Sequence, residues 1–381
     1  MPLYSTLYQK VLPFIGRCIF FLLLFVNFIY LPLFINIRND NTVFSYIAPA
    51  ILALAIVGCV RKPSKFGFFC VFTLCISYVL YDIAALVFYS TGSWHIWTKL
   101  RVNGFLPFIV LGVYLIAGFL HAKRIRTTRY HLTTRKFLPG GHLRVVQLSD
   151  IHPGTNMTLS SIPKIRHIVE ELNPDIIVLT GDIFDENTRP KFFDAYCDLL
   201  TSLPSRYGTW YIYGNHDADW HWKKPNHTKE DIELRLTKGG IHILEDETST
   251  LRIDGTRINI AGRCDISLSN GERMAAENLT KFLNGYTILL DHQPVEFKAV
   301  AEAGVDLLLT GHTHGGQIFP LGWFSHRILR MNELNYGMKK LSDSCTAIVS
   351  CGMGTWSYPI RTEGRTEIVC VEIEQKKEQK D

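Results

Sequence analysis

The chain has 381 residues, 47% of them hydrophobic and 20% charged, with a formal net charge of +5. It is too apolar for an ordinary soluble protein and long enough for two structural units. Its nine cysteines form no C-x-x-C pair, which argues for reduced structural thiols over disulfides or a zinc ribbon.

The apolar excess lies before about His121, in four segments near Cys18–Ile37, Val43–Val60, Phe66–Tyr89 and Gly104–Leu120. Each is about as long as a bilayer-spanning helix and shows almost no polar face. Residues 1–122 are therefore predicted to be a transmembrane region with four spans. The first segment exceeds the apolar core of a signal peptide, and no small-residue cleavage pattern follows Ile35, so it is kept as an anchor. Asp82 is the only acid inside a span; a functional polar site and a neutral or partnered Asp within the bundle both remain open. Lys10 and Arg17 precede the first span, Arg61, Lys62 and Lys65 separate the second and third, and a basic run from Lys123 to Lys136 follows the fourth. The positive-inside rule then predicts a multi-pass cell-membrane protein whose N-terminus and large C-terminal region are cytoplasmic. Trp94 and Trp97 suit the outer membrane interface. Residues 123–139 read as a basic juxtamembrane linker facing anionic membrane lipids, and no nucleic acid is expected.

From about Gly140 short apolar strands alternate with amphipathic helices. Strands are predicted at Leu143–Leu148, Asp175–Thr180, Thr209–Tyr213, Ile241–Leu244, Thr248–Ile253, Arg257–Ala261, Tyr286–Leu290, Asp306–Thr310, Thr346–Ser350 and Glu367–Ile373. Helices are predicted at Ser160–Leu172, near Pro190–Leu203, at Ile232–Leu236 and near Glu272–Leu283. The 140–373 domain is expected to be an α/β sandwich with mixed sheets, flanked by helices, its chemistry in the strand-end loops. Residues 374–381 form a charged tail.

Those loops hold six short clusters: Asp150-Ile151-His152, Gly181-Asp182, Gly214-Asn215-His216-Asp217, Asp291-His292-Gln293-Pro294, Gly311-His312 and His314. Carboxylate, imidazole and amide oxygen together suit borderline divalent cations. Two such cations about 3.5–4 Å apart clamp a phosphoryl group, neutralise charge on the attacking and leaving oxygens, and lower the pKa of bound water. A pair of this kind needs a shared carboxylate. Asp182, presented by the Gly181 turn directly after a buried strand, is the best candidate for it.

With these motifs the chain resembles the calcineurin-like metallophosphoesterases over roughly Gly140 to Ile373. It is most similar to the membrane-attached bacterial branch of YaeI- and YkuE-type phosphodiesterases and UDP-diacylglucosamine hydrolases. The resemblance implies the two-sheet metallophosphoesterase sandwich, with one metal held by Asp150, His152, Asp182 and His314 and a second by Asp182, Asn215, His292 and His312. It also implies a bridging hydroxide as nucleophile, and His216 as the group that contacts phosphate and protonates the leaving oxygen. The cofactors are then two divalent metal ions, Mn first, with Fe, Zn, Co or Mg as alternatives.

Other residues near the motifs carry two readings each. Asp217 orients its loop or His216, Asp185 and Asp265 cap loops, and Asp291 orients an imidazole or serves its turn. Arg361 contacts phosphate or forms a structural ion pair. Trp220, Trp222, Lys223 and Lys224 form an insert that shapes a substrate rim, enters the headgroup region, or is a solvated loop.

The function expected from the sequence is a membrane-anchored dinuclear-metal phosphoesterase. It would hydrolyse a phosphodiester or pyrophosphate by attack of metal-bound hydroxide, with a lipid-linked substrate favoured over a soluble one, since tethering favours a substrate at the membrane. The alternative is a non-catalytic membrane scaffold or sensor using the same fold for binding; the full ligand set together with His216 argues against it.

Overall fold

The computed structural model describes residues 105–376 except 187, 218–225 and 269–271. The first three predicted spans, Asp82, the Trp94 and Trp97 pair and the Trp220–Lys224 insert lie outside the described residues. The chain divides into two compact units between Ala117 and Gly118.

The described part of the fourth predicted span is a helix, α1 (Phe105–Lys123). Among the described residues no helix is long and apolar enough to cross a membrane.

The chain continues through β1 (Arg126–Thr134), β2 (His142–Leu148), α2 (Ile162–Leu172), β3 (Ile176–Thr180), α3 (Pro190–Thr201), β4 (Thr209–Ile212), α4 (Lys229–Lys238), β5 (Ile241–Ile243), β6 (Glu247–Ile253) and β7 (Thr256–Gly262). It then forms α5 (Ala276–Thr280), β8 (Tyr286–Leu290), α6 (Phe297–Glu302), β9 (Leu307–Thr310), α7 (Leu321–Arg327), β10 (Gly337–Lys340), β11 (Thr346–Val349) and β12 (Glu367–Gln375). Two six-stranded mixed sheets result, ordered β1-β12-β2-β3-β4-β5 and β10-β11-β9-β8-β7-β6. In the first, β2 to β5 run parallel, and in the second, β11, β9, β8 and β7 do.

Fully apolar strands read this way because both their faces are covered. In β3, Ile176 and Val178 point into the space between the sheets, where they meet Trp210, Ile260, Ile288 and Leu309. Ile177 and Leu179 point the other way, under α2 and α3, against Ile165, Val169 and Leu200. The outer face of the second sheet is covered by α5 and α6 through Leu279, Phe297 and Val300. The layers are helix, sheet, sheet, helix, and the parallel strands of both sheets end at the same rim.

Four elements depart from the sequence expectation. Residues 126–134, read as linker, form β1, an edge strand paired in parallel with β12 from Arg126–Glu367 to Thr134–Gln375. Its alternation half-buries Tyr130 and Leu132 against the inter-sheet core while Arg129 stays exposed and bonds Glu372 at 3.1 Å. Basic residues on the outward face hid that period. The helix expected near Glu272–Leu283 contracts to α5, because Met274 N is tied to Asp246 and Arg273 to Asp291. Helix α7 and strand β10 carry no clear sequence period.

Candidate metal centre

Each predicted cluster sits just beyond the C-terminal end of a parallel strand, and backbone bonds lock the loops to one another. Asp150 N donates to Gly181 O at 3.0 Å, Gly311 N to His292 O at 2.9 Å, and Met353 N to Ser149 O at 2.9 Å. Gln147 Nε2 donates to Thr180 Oγ1 within its own sheet and to Thr310 O of the other sheet, both at 2.8 Å. Five of the predicted metal residues, Asp150, His152, Asp182, His312 and His314, have φ between 43° and 69°. Left-handed backbone at non-glycine residues is costly and persists where the surroundings over-determine it, a pattern typical of functional loops.

The structure brings the predicted residues together as two adjoining groups. Ligand atoms of Asp150, His152 and His314 lie within 4.8 Å of one another, and so do those of Asp182, His292 and His312. Asn215 joins the second group, its Oδ1 standing 3.2 Å from His292 Nε2 and 2.9 Å from His312 Nδ1. Asp182 Oδ2 lies between the groups, 3.2 Å from His292 Nε2 and 3.7 Å from His152 Nε2.

Backbone carbonyls and a carboxylate fix the tautomers. His292 Nδ1 donates to Thr180 O at 2.8 Å and His314 Nδ1 to Gly354 O at 3.2 Å, while His152 Nδ1 donates to Asp185 Oδ2 at 3.1 Å. Each leaves Nε2 as a lone-pair donor aimed inward, the arrangement of metal-binding imidazoles. His152 Nε2 is buried and has no hydrogen-bond partner. An orphaned buried acceptor beside two aspartates is what a cation would satisfy, so the residues fit divalent ions.

Without cations the electrostatics of the cluster are divided. Burial would raise Asp182, but His292, His216 and His152 outweigh it and hold the carboxyl well below its usual range. Burial pushes Asp150 up. His152 and His292 are raised, burial notwithstanding, by the carboxylates they face. His312 is pulled down to about 4 by burial and by His292, and His314 lower than usual by burial and His152. A cation needs charged carboxylates beside neutral imidazoles, and Asp182, His312 and His314 lean that way while Asp150, His152 and His292 lean the other.

His216 stands at the rim. Its backbone N donates to Asp182 Oδ1 at 2.8 Å, its Nδ1 to Glu186 Oε2 at 3.1 Å, and its ring lies 5.3 Å from that of Trp356. Burial lowers its pKa, but Asp182 and Glu186 more than compensate, holding it up at about 9. Glu186 was not singled out from the sequence, and Asp185 was read only as a cap. Asp185 does cap, accepting Thr188 Oγ1 at 3.0 Å, yet it also holds His152. The signal for both is their position three and four residues past Asp182 in the same loop.

The other readings resolve as follows. Asp217 takes the backbone N–H groups of Asp182, Phe184 and Gly214, and so joins two ligand loops; its side chain does not meet the His216 ring. Asp291 orients no imidazole; it is paired with Arg263 and Arg273 at 3.1 and 2.8 Å. Asp265 caps Ser267 N and also accepts Gln293 Nε2. Arg361 forms no ion pair among the described residues: it is fully buried, and its guanidinium donates to the carbonyls of His314 and Gly354.

The profile of the family described as Calcineurin-like phosphoesterase matches residues 143–316. An uncharacterized metallophosphoesterase of Aquifex aeolicus (strain VF5) is 30% identical over 276 residues, covering 70% of this chain and 98% of that protein. The uncharacterized metallophosphoesterase YkuE of Bacillus subtilis (strain 168) is 33% identical over 262 residues, 68% of this chain and 88% of its own. A Danio rerio protein named transmembrane protein with metallophosphoesterase domain is 32% identical over 250 residues, 61% of this chain but only 53% of its own length.

Proposed function

The chain belongs to the calcineurin-like metallophosphoesterase family, and from that premise we propose that it hydrolyses a phosphodiester or pyrophosphate of a lipid-linked substrate with two divalent ions, Mn first among them. The observation that carries this reading is the position of Asp182 Oδ2 between His152 of one group and His292 of the other. One ion is assigned to Asp150, His152, Asp182 and His314, the other to Asp182, Asn215, His292 and His312. Bound there, the ions supply Lewis acidity towards phosphoryl oxygens and a lowered pKa for water.

The side chains do the rest. Asp182 ties the two groups, the carbonyl- or carboxylate-bound Nδ1 of His152, His292 and His314 sets the direction of each ring, and His216 delivers a proton to the leaving oxygen. Glu186 holds His216 by Nδ1, which leaves Nε2 to donate. The four apolar segments support a membrane anchor, as does the word transmembrane in the name of the Danio rerio relative, and the basic residues flanking those segments support a cytoplasmic catalytic region. An anchored hydrolase meets membrane-borne substrates at high effective concentration.

The test is phosphate-ester hydrolysis by the detergent-purified chain after chelation and Mn readdition, on a chromogenic diester, a monoester and UDP-diacylglucosamine, with Asp182→Asn as control. Metal-dependent turnover absent from the variant is expected. Equal turnover by Asp182→Asn would overturn the two-ion reading, and two bound ions with no turnover on any substrate would favour a scaffold.

A further inference from the structure

The segment after His314 carries large apolar side chains that the domain leaves outside. Trp323, Phe324, Ile328 and Leu329 are 48, 48, 54 and 51% exposed, and Met331 follows at 39%. They lie on a fixed element: Trp323 N donates to Glu363 Oε2 at 3.0 Å, Gly322 N to Ile318 O at 3.0 Å and Phe324 N to Pro320 O at 2.9 Å. Clustered apolar exposure of this kind on an ordered element marks an interaction surface.

Its charge is one-sided. Residues 319–332 include His326, Arg327 and Arg330 and no Asp or Glu. Those three line a cavity of about 460 Å³ beside the apolar group. The one acid in its wall is Glu333, whose Oε1 already accepts Phe297 N at 3.0 Å. The same side of the domain carries the last turn of α1. Gly118 O accepts Arg361 N at 2.9 Å, two residues before the Glu363 that holds α7; Leu120 there is 62% exposed and Lys123 lies 4.2 Å from the Phe119 ring centre. Aromatic and aliphatic tips interleaved with cations complement an anionic lipid interface, where the rings sit among headgroups and the arginines meet phosphate.

We propose that the face formed by α7 and the residues to Met331 docks on an anionic phospholipid surface, with Trp323, Phe324, Ile328 and Leu329 in the interface and Arg327 and Arg330 against lipid phosphates. The face contains none of the groups assigned to hydrolysis. Docking therefore stands or falls separately from the activity.

The test is hydrogen–deuterium exchange on the full chain reconstituted into nanodiscs of phosphatidylcholine alone, or of phosphatidylcholine and phosphatidylglycerol in equal parts. Amides of residues 321–331 are expected to exchange roughly fivefold slower or more in the anionic discs. Arg327→Glu with Arg330→Glu, and separately Trp323→Ser with Phe324→Ser, are expected to abolish the difference while β9 keeps its protection. Equal exchange in the two lipids overturns the proposal. So does protection that follows protein concentration and ignores lipid charge, which is the mark of a second copy on the face. The wild-type comparison decides the matter by itself if a variant loses its fold.

Discussion

Asp217 Oδ2 accepts the backbone N–H of Asp182 at 2.6 Å and, with the same oxygen, that of Gly214 at 2.7 Å. Its other oxygen accepts Phe184 N at 2.8 Å. One side chain thus sets the spacing between the loop that presents Asp182 and the loop that presents Asn215. Asp217→Asn keeps a single oxygen and turns an amide donor towards N–H groups that cannot accept. Leaving one or two buried donors unmet costs about 1–3 kcal/mol each. The metal-free variant is expected to lose about 2–4 kcal/mol in chemical denaturation, and the purified variant to bind less than two ions by elemental analysis. Unchanged stability and full metal content would show that Asp217 does not space the loops.

Arg361 separates two accounts that the sequence left open. A phosphate contact would make Arg361→Met raise KM and leave the ions in place. The structure instead has the guanidinium holding the carbonyls of His314 and Gly354, both buried, so the substitution strips two acceptors of their donor. Stability is expected to fall by about 2–4 kcal/mol, and metal content with it, through His314. Denaturation and metal analysis check the first expectation; KM measured on the fully loaded fraction checks the second.

The clustering of the candidate residues was legible because each residue type sits at the end of an apolar run, and apolar runs bounded by glycine are readable as buried strands. Asp150, Asp182, His292 and His312 follow β2, β3, β8 and β9 in that way. What holds the ligands was less legible. Glu186 and Asp185 differ from ordinary loop acids only in where the chain folds back, and Asp291 beside His292 is turned away by Arg263 and Arg273 from distant positions. Strand β1 was lost to its arginines, since a basic stretch after an apolar segment resembles a linker whether or not its alternate residues are half-buried.

Gly214 tests Asp182 as the proposed shared carboxylate without replacing that residue. A Cβ there would run into Asp182 Oδ1 and the Asp182 backbone N, and would stand 2.8 Å from His292 Cε1. The Asp182 side chain has no room to yield, because His216 N and His292 hold it from the other side. Gly214→Ala is expected to weaken metal binding roughly 10–100-fold, with circular dichroism unchanged. Two ions retained at wild-type affinity would mean that the Asp182 carboxylate is not the shared ligand.

Glu186 and His216 make the pH dependence specific. Burial works against the imidazolium, yet Asp182 and Glu186 hold His216 up at about 9, so in the metal-free protein its proton stays through neutral pH. A histidine raised from 6.5 stabilises the fold fully below pH 6.5, and that contribution is lost as pH climbs to about 9. The stability gap between metal-free wild type and His216→Gln is expected to shrink over that window by up to about 3 kcal/mol. Cations held by Asp182, as proposed, would remove part of its pull, so the basic limb of kcat is expected between 6.5 and about 9. Glu186→Gln removes the carboxylate hydrogen-bonded to His216 and leaves only the weaker pull of Asp185 beside that of Asp182, which moves that limb towards acid and lowers kcat above it while KM stays. Denaturation curves across pH give the first result, and a kcat–pH profile with the variant beside wild type gives the second. A limb that does not move in Glu186→Gln would mean that the proton reaching the leaving oxygen does not come from His216.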